Sequence, residues 1–307
     1  MKPAPESESR PSVGVVIVNH NLKDTLRATL ESFLAVDYPA FSIVVCDNGS
    51  SDGSPEMIRR SFPQVHCIAN PVGLGYARAA SQGMAHLAPD HEYLFSISND
   101  VTVDPAIFRE LVQAAEAHPR AAILGSKVYF HDRPDILWHA GGRVHPWHGH
   151  TYHYGWERRD HPRYNRIRAC DYVTGCGYLV RSEVARQLGY LKDDLVFYFE
   201  DADFCYRARA AGWEVLYVPT ARVWHKTSTT LAKDRGLQLR YATRNNLYLL
   251  ARHRVGPWFP FCLAVHLAAV LPCKMALFLA LGRWKNTRGI WRGFRDWHRG
   301  QYGMIRE

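Results

Sequence analysis

Residues 13–50 read VGVVIVNHNLKDTLRATLESFLAVDYPAFSIVVCDNGS and carry the clearest fold signal in the chain. The stretch begins with a continuous apolar run, VGVVIVN, which is typical of a strand covered on both faces of a parallel sheet. Leu26, Leu30 and Phe33 then recur at helical spacing, and a second apolar run, FSIVVCD, follows them. The pattern predicts a strand, a helix and a second strand parallel to the first.

The same alternation continues to residue 100. Helices are predicted within SPEMIRRSF and GYARAASQGMAHL, and strands within VHCIAN and EYLFSISND. This order predicts an α/β fold with a doubly wound, mostly parallel sheet, in which ligands bind beyond the carboxyl ends of the strands. Polar residues stand at those ends, namely Asn19, Asn21, Asp47, Asn48, Asn99 and Asp100. The sequence therefore predicts a small-molecule site at that edge.

Three motifs near these ends each admit two interpretations. In DNGSSDGS, Asp47 either binds a base or ribose, or it belongs to an ordinary turn with a helix cap. In NPVGLGYARAASQG, Gly73 and Gly75 only partly match a dinucleotide fingerprint, because Arg78 replaces the third glycine. A glycine turn followed by a helix with Arg78 suits a diphosphate instead. In SISND, Asp100 is either a ligand of a hard divalent cation or part of an Asx turn.

Length and composition allow one large domain with an appendage. The chain has 307 residues, of which 47% are hydrophobic, and a net charge of +9. Residues 283–307 hold seven Lys or Arg and two acids, which predicts an anionic partner. The seven cysteines form no CxxC pair, so we expect reduced thiols and a cytoplasmic protein. Residues 1–11 are polar and are predicted to be a disordered tail.

The second half is less regular. DYVTGCGYLVRSEVARQLG predicts a strand followed by a helix, and FEDADFCYRARAAGW predicts another helix. Residues 131–168 are rich in His, Trp, Arg and Gly and predict a long loop or an irregular hairpin. The histidine spacing matches no familiar zinc pattern, so a polar, aromatic, substrate-facing loop is favoured over a structural metal site.

Three carboxylates crowd into residues 198–203, YFEDAD. They are a solvated acidic helix start, a metal site or the position of a general base. Asp203 stands four residues before Arg207, which is the spacing of a helical ion pair. Glu200 and Asp201 are left without an obvious structural partner.

Taken together, these stretches resemble an inverting family 2 glycosyltransferase with the GT-A fold, and more narrowly the bacterial rhamnosyltransferase-type members. The resemblance covers about residues 12–230, and it rests on these motifs in the family's order: VVIVNHN, VCDNGSSDGS, NPVGLGYARAASQG, SISND, DYVTGCGYLVRSEV, FYFEDADFCYRARAAGW and VWH. It implies a nucleotide-sugar-binding half at residues 12–104 and an acceptor or catalytic half at residues 105–230.

The resemblance also implies a role for each matched position. The donor nucleotide would be bound by Asn19, Asn21, Asp47, Asn48, Gly73, Arg78 and Asn99. Asp100 would coordinate Mg²⁺ or Mn²⁺ on the donor diphosphate, and His225 would be a second ligand. Ser98 and Asn99 stand where family members often carry acids, so this DxD-type motif is degenerate.

Asp201 would be the catalytic base of an inverting transfer, which must take a proton from the acceptor hydroxyl while a cation offsets charge on the leaving diphosphate. Its acidic neighbours would raise its pKa, as a base requires. Gly175, Cys176 and Glu200 would belong to the acceptor and sugar pocket. The acid cluster itself is not expected to hold the metal.

Residues 231–307 predict a helical, membrane-associating appendage that is first apolar and then basic. Residues 258–281 are mostly apolar and long enough to span a bilayer, but His266 and Lys274 interrupt them. We favour an interfacial or re-entrant helical pair over a transmembrane span or a buried core helix. Beyond it, one predicted helix face carries Arg288, Arg292, Arg295 and Arg299, and the other carries Ile290, Phe294 and Trp297. This pattern is typical of a basic amphipathic helix on anionic lipid.

The resemblance thus implies a metal-dependent inverting glycosyltransferase of cell-surface polysaccharide synthesis. It would move a sugar, with rhamnose as the candidate, from a nucleotide-diphospho-sugar to a glycan hydroxyl, on a lipid-linked acceptor at the cytoplasmic face of the inner membrane. The protein would be peripheral or monotopic there. A non-catalytic GT-A-like scaffold of a glycan-assembly complex and a nucleotidyltransferase remain as alternatives. Nucleic acid is not an expected partner, because no basic-aromatic binding module accompanies the charge.

Overall fold

The computed structural model describes residues 10–145, 150–227, 234–254 and 258–305. The predicted tail at residues 1–11 therefore lies almost wholly outside the described residues. The first half contains β1 (Val13–Asn19), α1 (Lys23–Phe33), β2 (Phe41–Asp47), α2 (Ser54–Ser61), β3 (His66–Ala69), α3 (Tyr76–Leu87), β4 (Tyr93–Ser98) and β5 (Val101–Val103). This is the strand–helix alternation that the sequence predicts.

The strands of the first half are parallel, as predicted. β1 pairs with β2 on one side and with β4 on the other, and β3 pairs with β2. The register aligns Asn19 with Asp47 and Val18 with Ser98, so the carboxyl ends of β1, β2 and β4 meet at one edge. The polar residues that follow these strands are thereby gathered at that edge.

The second half continues the same sheet. It contains α4 (Ile107–Ala117), β6 (Ala121–Phe130), β7 (Arg133–His139), β8 (Gly142–Val144), β9 (Thr151–His153), β10 (Arg158–Arg159), β11 (Arg168–Ala169), β12 (Tyr178–Arg181), α5 (Ser182–Leu188), α6 (Glu200–Ala210) and β13 (Glu214–His225). β12 lies antiparallel between β4 and β6, and β13 runs parallel to β6 and antiparallel to β5. The β5–β13 register pairs Val101 with His225, which brings His225 beside Asp100.

Residues 131–168 are more ordered than the predicted loop. β7 extends the sheet beyond β6, with β10 at its outer edge, and β8 and β9 form a separate two-stranded hairpin. Arg and His residues obscured the alternation of these short strands, because polar side chains occupy both their faces.

The sheet buries an apolar core on each face, which is why β1 is hydrophobic at consecutive positions. Val15 and Ile17 pack on one face with residues of α1, α2 and α4. Val16 and Val18 pack on the opposite face with residues of α3, α5 and α6. Helices therefore cover both faces, as a doubly wound architecture requires.

Three helices follow the sheet: α7 (Arg235–His253), α8 (Phe259–Ala280) and α9 (Trp284–His298). α8 is one continuous helix with a π-helical turn at His266–Val270. The predicted helical pair is therefore wrong: Pro260 lies in the first turn of α8, where proline is tolerated, and Pro272 follows the π-helical turn without ending the helix. The predicted alternative of a buried core helix is also wrong, since only Cys262, His266 and Leu271 of α8 are buried. Within the described ranges, α8 is the one helix long and apolar enough to cross a membrane.

α9 packs closely along α7. A Cβ at Gly289 would collide with the carbonyl oxygen of Gly236, and one at Gly293 with that of Arg240. Ile290 is fully buried between the helices, so the apolar face of α9 covers protein instead of facing lipid as predicted. The glycines that weaken an isolated helix here permit the close contact.

Candidate active site

A cleft of about 700 Å³ opens at the carboxyl edge of the sheet. Both halves of the sheet contribute to it, and so does the C-terminal region. Of the predicted site residues, the cleft is lined by Asn48, Gly73, Asn99, Asp100, Gly175, Cys176, Glu200, Asp201 and His225. These residues span nearly 180 positions of sequence, and the fold brings them together.

The floor of the cleft is a chain of buried amides and one carboxylate. The Nδ2 of Asn99 donates to Oδ1 of Asn19 at 2.6 Å, and the Nδ2 of Asn19 donates to Oδ2 of Asp47 at 2.8 Å. The other oxygen of Asp47 accepts from the Ser50 N–H at 2.9 Å. Asn19 and Asp47 thus lie beneath the cleft lining, with the Asp47 carboxylate held by hydrogen bonds inside the protein.

Asn48 shapes the glycine turn before α3. Its Oδ1 accepts from the Leu74 N–H at 2.7 Å, and its Nδ2 donates to the Gly75 carbonyl at 3.3 Å. Gly73 and Gly75 both line the cleft. Backbone groups of this turn are therefore available to a ligand on the donor side.

Besides Asn19 and Asp47, two more predicted donor-binding residues, Asn21 and Arg78, lie outside the cleft lining. Arg78 is exposed on α3, and its closest charged partner is Asp193 at 3.9 Å. Asn21 is exposed and uses its Oδ1 to accept from the Ser51 N–H at 2.8 Å, which orders the loop after β2. A side chain's direction on a helix or loop does not follow from the motif spacing that selected these two residues.

Asp100 and His225 face each other at the centre of the cleft. The Nε2 of His225 lies 3.2 Å from Oδ2 of Asp100, and both side chains are largely buried. Burial opposes a charge on His225, but Cys176 and the Asp100 carboxylate outweigh it and raise the pKa of His225 to about 10. A cation bound between them would replace this proton.

The donor set here suits a hard divalent cation that keeps outer ligands. Within the described residues there is no group of three or more His, Cys, Asp or Glu side chains that could hold a metal. Asp100 and His225 supply two protein ligands, and Mg²⁺ is commonly held by one or two protein groups together with waters and substrate phosphates. The residues present therefore fit a cation shared with a diphosphate.

Asp201 lies at the start of α6 and is tied to the opposite wall. Its Oδ2 accepts from the Gly175 N–H at 2.9 Å, and its Oδ1 accepts from the Ala202 N–H at 2.7 Å. Burial raises the pKa of Asp201, and these backbone N–H groups offset part of the rise because they favour the ionised form. The result is a carboxylate that is fixed in direction and more basic than one in water.

Gly175 and Cys176 connect this acid to the Asp100–His225 pair. Gly175 holds Asp201, and the adjacent Cys176 places its Sγ 3.6 Å from Nδ1 of His225. Two consecutive residues thus fix the position of the acid relative to the candidate metal ligands. Gly175 has no side chain to fill this space, where an added Cβ would lie 3.2 Å from the Tyr76 hydroxyl.

The other two acids of YFEDAD have separate environments. Glu200 is buried in the cleft wall, and burial together with the charge of Asp201 raises its pKa well above the ordinary value. Asp203 is fully buried away from the cleft and receives Nε of Arg207 at 2.7 Å and Nε2 of His253 at 2.8 Å. Burial opposes ionisation of Asp203, but the bonds from His253 and Arg207 outweigh it and lower its pKa.

The amino-acid sequence matches the model of a known protein family. A family model described as "Glycosyltransferase like family 2" matches residues 11–243, which is more than half of the chain. The chain belongs to glycosyltransferase family 2.

Individual relatives agree with this membership. The transferase is 29% identical over 273 residues to an N-acetylglucosaminyl-diphospho-decaprenol L-rhamnosyltransferase of Mycobacterium tuberculosis, which covers 80% of this chain and 85% of that protein. A mannosyltransferase from Pyrobaculum calidifontis in complex with GDP-Man and Mn²⁺ has a TM-score of 0.61 at 16% identity, over 96% of this chain and 89% of that one. GalNAc-T7 with UDP, GalNAc and Mn²⁺ has a TM-score of 0.60 at 18% identity, and the match covers 82% of this chain and 56% of that one. These structural neighbours agree with the expected GT-A fold.

One wall of the cleft is aromatic, and sequence reasoning located it only as a region. Trp138, His153 and Tyr172 line the cleft, and the Trp138 ring lies 4.9 Å from that of His225. Burial lowers the pKa of His153 to about 4, so this ring is neutral near pH 7. His148, which belongs to the same histidine-rich stretch, lies outside the described residues.

Residues from the C-terminal region also line the cleft, and sequence reasoning missed them. They are Leu237, Tyr241, Met304 and Ile305. The Tyr241 hydroxyl accepts from the Ile305 N–H at 2.9 Å, which joins α7 to the end of the chain. The available signal was the polar run TRNN at residues 243–246 directly before the apolar residues 247–250, since polar groups buried beside an apolar run need specific partners.

Proposed function

We propose that this glycosyltransferase inverts the configuration of the sugar that it transfers, with Asp201 as the catalytic base and a divalent cation at Asp100 and His225. The observation that carries the proposal is the pair of hydrogen bonds that aims Asp201 into the cleft, on the far side of Gly175 and Cys176 from the Asp100–His225 pair. A base and a metal on opposite walls are what in-line displacement at an anomeric carbon requires.

The donor is a nucleotide-diphospho-sugar that lies over the polar floor. Asn48 and the glycine turn at 73–75 offer backbone and amide groups to the nucleotide and its phosphates. Asn19, Asp47 and Asn99 hold that floor in shape through their buried hydrogen bonds. Asn21 orders the neighbouring loop, and Arg78 contributes positive charge near the entrance.

Asp201 removes the proton from the acceptor hydroxyl as that oxygen attacks the donor sugar. Its raised pKa makes it a stronger base than an ordinary carboxylate, and the Gly175 N–H keeps one oxygen in place. Gly175, Cys176 and Glu200 surround the reacting sugar. When bound, Mg²⁺ or Mn²⁺ would neutralise charge that develops on the leaving diphosphate.

The acceptor is a glycan hydroxyl on a lipid carrier. A relative that covers most of the chain is named for an acceptor with N-acetylglucosamine on decaprenyl diphosphate and for transfer of L-rhamnose. We take L-rhamnose and a polyprenyl-diphosphate-linked sugar as the first pair to test. The wall of Trp138, His153 and Tyr172 supports this choice, because sugars stack on aromatic rings.

A lipid-linked acceptor requires the protein to work at a membrane surface. α8 exposes apolar side chains, among them Phe261, Leu277 and Leu279, and such a patch is usual for a membrane or protein contact. The chain on either side of α8 forms helices that pack together, because α9 lies along α7. A helix that crossed the bilayer would separate its two neighbours, so we propose that α8 lies in the interface and that the protein is monotopic, at the cytoplasmic face.

The alternatives of a scaffold and a nucleotidyltransferase fit less well. Family membership favours sugar transfer over nucleotidyl transfer. A scaffold would gain nothing from Glu200 and Asp201 in an open cleft, since burying carboxylates costs stability.

The proposal is tested with a panel of nucleotide-diphospho-sugars and Mn²⁺. Calorimetry should detect donor binding that needs Mn²⁺, and the anomeric signal in the NMR spectrum of the product should report inversion. Asp100→Asn and His225→Ala should each weaken Mn²⁺ binding in the presence of nucleoside diphosphate by about tenfold or more.

Asp104→Asn is the matched control, since Asp104 follows the next strand, β5, and accepts from the Ala106 N–H at 2.9 Å just before α4. It should leave Mn²⁺ binding unchanged. Donor binding that is independent of any divalent cation, or a product of retained configuration, would contradict the proposal.

A further inference from the structure

The loop that leads into Asp201 is held in an unfavourable backbone conformation. Val196, Tyr198 and Phe199 have φ angles of 61°, 66° and 69°, in the left-handed region that favours glycine. Each such non-glycine residue is energetically unfavourable, and a β-branched residue such as Val196 is a clear outlier. Strain of this kind persists only where surrounding contacts enforce it, so the contacts of residues 194–199 need an explanation.

Asn245 of α7 supplies most of these contacts. Its Nδ2 lies 2.7 Å from the Leu195 carbonyl oxygen, 2.7 Å from that of Phe197 and 3.0 Å from that of Tyr198. An amide nitrogen carries two hydrogens, so one of these bonds is shared. Asn245 is completely buried, and three carbonyls of the loop converge on its one amide nitrogen.

Arg244, the residue before Asn245, binds the Asn245 side chain, the start of the loop and the C-terminal segment. Its Nε donates to Oδ1 of Asn245 at 2.9 Å, which fixes the amide so that Nδ2 faces the loop. Its Nη2 donates to the Asp194 carbonyl at 3.2 Å, at the start of the loop, and its Nη1 donates to the Gly303 carbonyl at 2.8 Å. The Gly303 N–H in turn donates to the Asp194 carbonyl at 2.8 Å. The loop is thus bound to α7 and to the C-terminal segment together.

The loop also contacts the donor side of the cleft. The Ala77 N–H, at the start of α3, donates to the Val196 carbonyl at 3.1 Å. A side chain at Gly75 would overlap Val196, with its Cβ 2.5 Å from Cγ1. One short segment therefore touches the glycine turn at one end and carries Glu200 and Asp201 at the other.

We propose that Asn245 and Arg244 are positioning residues for the transfer reaction, which hold residues 194–199 so that Asp201 keeps its place between the glycine turn and Gly175. The proposal rests on the proposed function only in naming Asp201 as the base. Neither side chain is among those that line the cleft, so they act through the loop and not on the substrate.

The expected consequence is a loss of catalysis without a loss of donor binding. If Asn245 is removed, the three carbonyls lose their common donor and the strained residues relax toward ordinary φ angles. Asp201 then shifts relative to the acceptor, and a misplacement of about 1 Å can lower a rate by about a hundredfold. The hydrogen bonds of Asn48 to the glycine turn involve neither Asn245 nor Arg244.

The test compares Asn245→Ala with Asn246→Ala in the full chain. Asn246 is the next residue of α7 and is also buried, but among the described residues its side chain makes no hydrogen bond to the loop. Three quantities are measured for each: kcat and KM for the donor, the midpoint of urea unfolding, and hydrogen–deuterium exchange of the peptide that spans residues 194–203.

We expect Asn245→Ala to lower kcat by about tenfold to a hundredfold at a KM within about twofold of wild type. Exchange should rise in peptide 194–203 and not in α9, and Asn246→Ala should show neither change. If Asn245→Ala does not fold, Arg244→Lys tests the same bonds, because lysine cannot reach Asp194, Gly303 and Asn245 at once. For it we expect a smaller fall in kcat with the same local rise in exchange.

A kcat within about twofold of wild type for Asn245→Ala, or equal losses in the two asparagine variants, would overturn the proposal. Exchange separates its failure from that of the proposed function. If the wild-type protein transfers no sugar from any donor, the proposed function fails, while raised exchange at 194–203 still supports the positioning role and unchanged exchange overturns it.

Discussion

Glu200 is the residue whose burial is least compensated in the cleft. Its Oε2 is buried and has no hydrogen-bond partner among the described residues, and its neighbour Asp201 adds a second carboxylate. Burial first, and the charge of Asp201 next, raise the pKa of Glu200 well above its usual value. The folded protein therefore binds a proton at Glu200 more tightly than the unfolded chain does.

This difference makes a prediction about stability and pH. When the pKa of a carboxyl group is higher in the folded protein than in the unfolded chain, the free energy of unfolding falls as pH rises. The fall begins at the ordinary pKa of the group and continues through its folded pKa. Glutamine does not titrate, so Glu200→Gln should raise the free energy of unfolding by about 1 kcal/mol at about pH 8 and by less at about pH 5. Urea unfolding at both pH values measures it.

Glu183→Gln is the control for Glu200→Gln, because Glu183 also lies in the first turn of a helix but is exposed. It should show no pH-dependent gain. If Glu200→Gln raised the free energy of unfolding equally at both pH values, or more at the lower one, the result would contradict a raised pKa of Glu200.

At the level of single residues, motif spacing predicted a cleft residue best where the residue ends a strand or starts a helix. Asp100, His225 and Asp201 all lie at such positions and line the cleft. Arg78 does not line the cleft, although it lies in the first turn of α3. The direction of its side chain depends on the rotation of α3, which local sequence does not determine. Asp47 lies deeper than expected because Asn19 takes up one of its oxygens.

α6 is the element that separates the three acids, and it is anchored by its third acid. Asp203 is fully buried and is bound by Arg207 of the same helix and by His253 at the end of α7. Arg207 also donates to the carbonyls of Leu188 and Tyr190, so one guanidinium joins α6 to the segment after α5.

Loss of this guanidinium should be costly. Arg207→Ala leaves a buried carboxylate with His253 alone, so the free energy of unfolding should fall by about 3 kcal/mol. Because the pKa of Asp203 is lowered in the folded protein, the loss should be full near neutral pH and should shrink as pH falls below the ordinary carboxyl pKa. Chemical unfolding at about pH 7 and about pH 3 measures both effects.

Arg209→Ala is the matched control for Arg207→Ala. Arg209 lies two residues further along α6 and pairs with Asp171 at 3.0 Å, but its side chain is 40% exposed. Its loss should cost less than about 1 kcal/mol. Equal losses for the two variants would show that Asp203 does not depend on Arg207.

At the level of elements, the sequence predicted long periodic segments and missed those that depend on distant contacts. The alternation of β1 to β4 with α1 to α3 was readable because each segment carries its own apolar period. The left-handed run at Val196, Tyr198 and Phe199 was not, since no glycine marks it and its stabilising donor lies about fifty residues away in Asn245. The ion pair of Asp203 with Arg207 was predicted from spacing alone and is present.

The whole molecule presents one surface that differs from the rest of the protein. α8, α9 and the residue before α8 expose several large apolar side chains, among them Trp258, Phe261, Leu277, Trp284 and Trp291. Arg288 is exposed between Trp284 and Trp291 of α9. Tryptophan and arginine side by side at the border of an apolar patch are typical of a protein surface at the lipid headgroups.

We predict that the full chain binds vesicles that contain anionic lipid. The double variant with Trp284→Ala and Trp291→Ala should bind them about tenfold or more weakly. Added salt should weaken it further, because Arg288 and its basic neighbours attract the anionic surface. Cosedimentation with vesicles of defined composition measures the affinity.

Leu34→Ala is the control for the vesicle experiment, because Leu34 is an apolar side chain at the end of α1 that is 66% exposed. It should bind vesicles as the wild type does. Binding of the double tryptophan variant at the wild-type level would contradict a membrane role for α9.

At this scale the sequence predicted the mostly parallel sheet and an apolar helix near the C-terminal end. It did not predict that α9 would turn its apolar face onto α7, because the glycines at 289 and 293 lower helix propensity and their fit against α7 is a tertiary property. It also did not predict that the C-terminal segment would reach the cleft through Met304 and Ile305.

The central claim is that Asp201 is the base of an inverting transfer, and it is tested most directly by the rate of sugar transfer by Asp201→Asn at saturating donor. Asparagine keeps the size of the side chain and an oxygen for the Gly175 N–H but cannot take a proton. We predict a fall in the transfer rate of about a thousandfold or more, with donor affinity within about twofold of wild type. A variant that transfers sugar at a rate within about tenfold of wild type would contradict the claim.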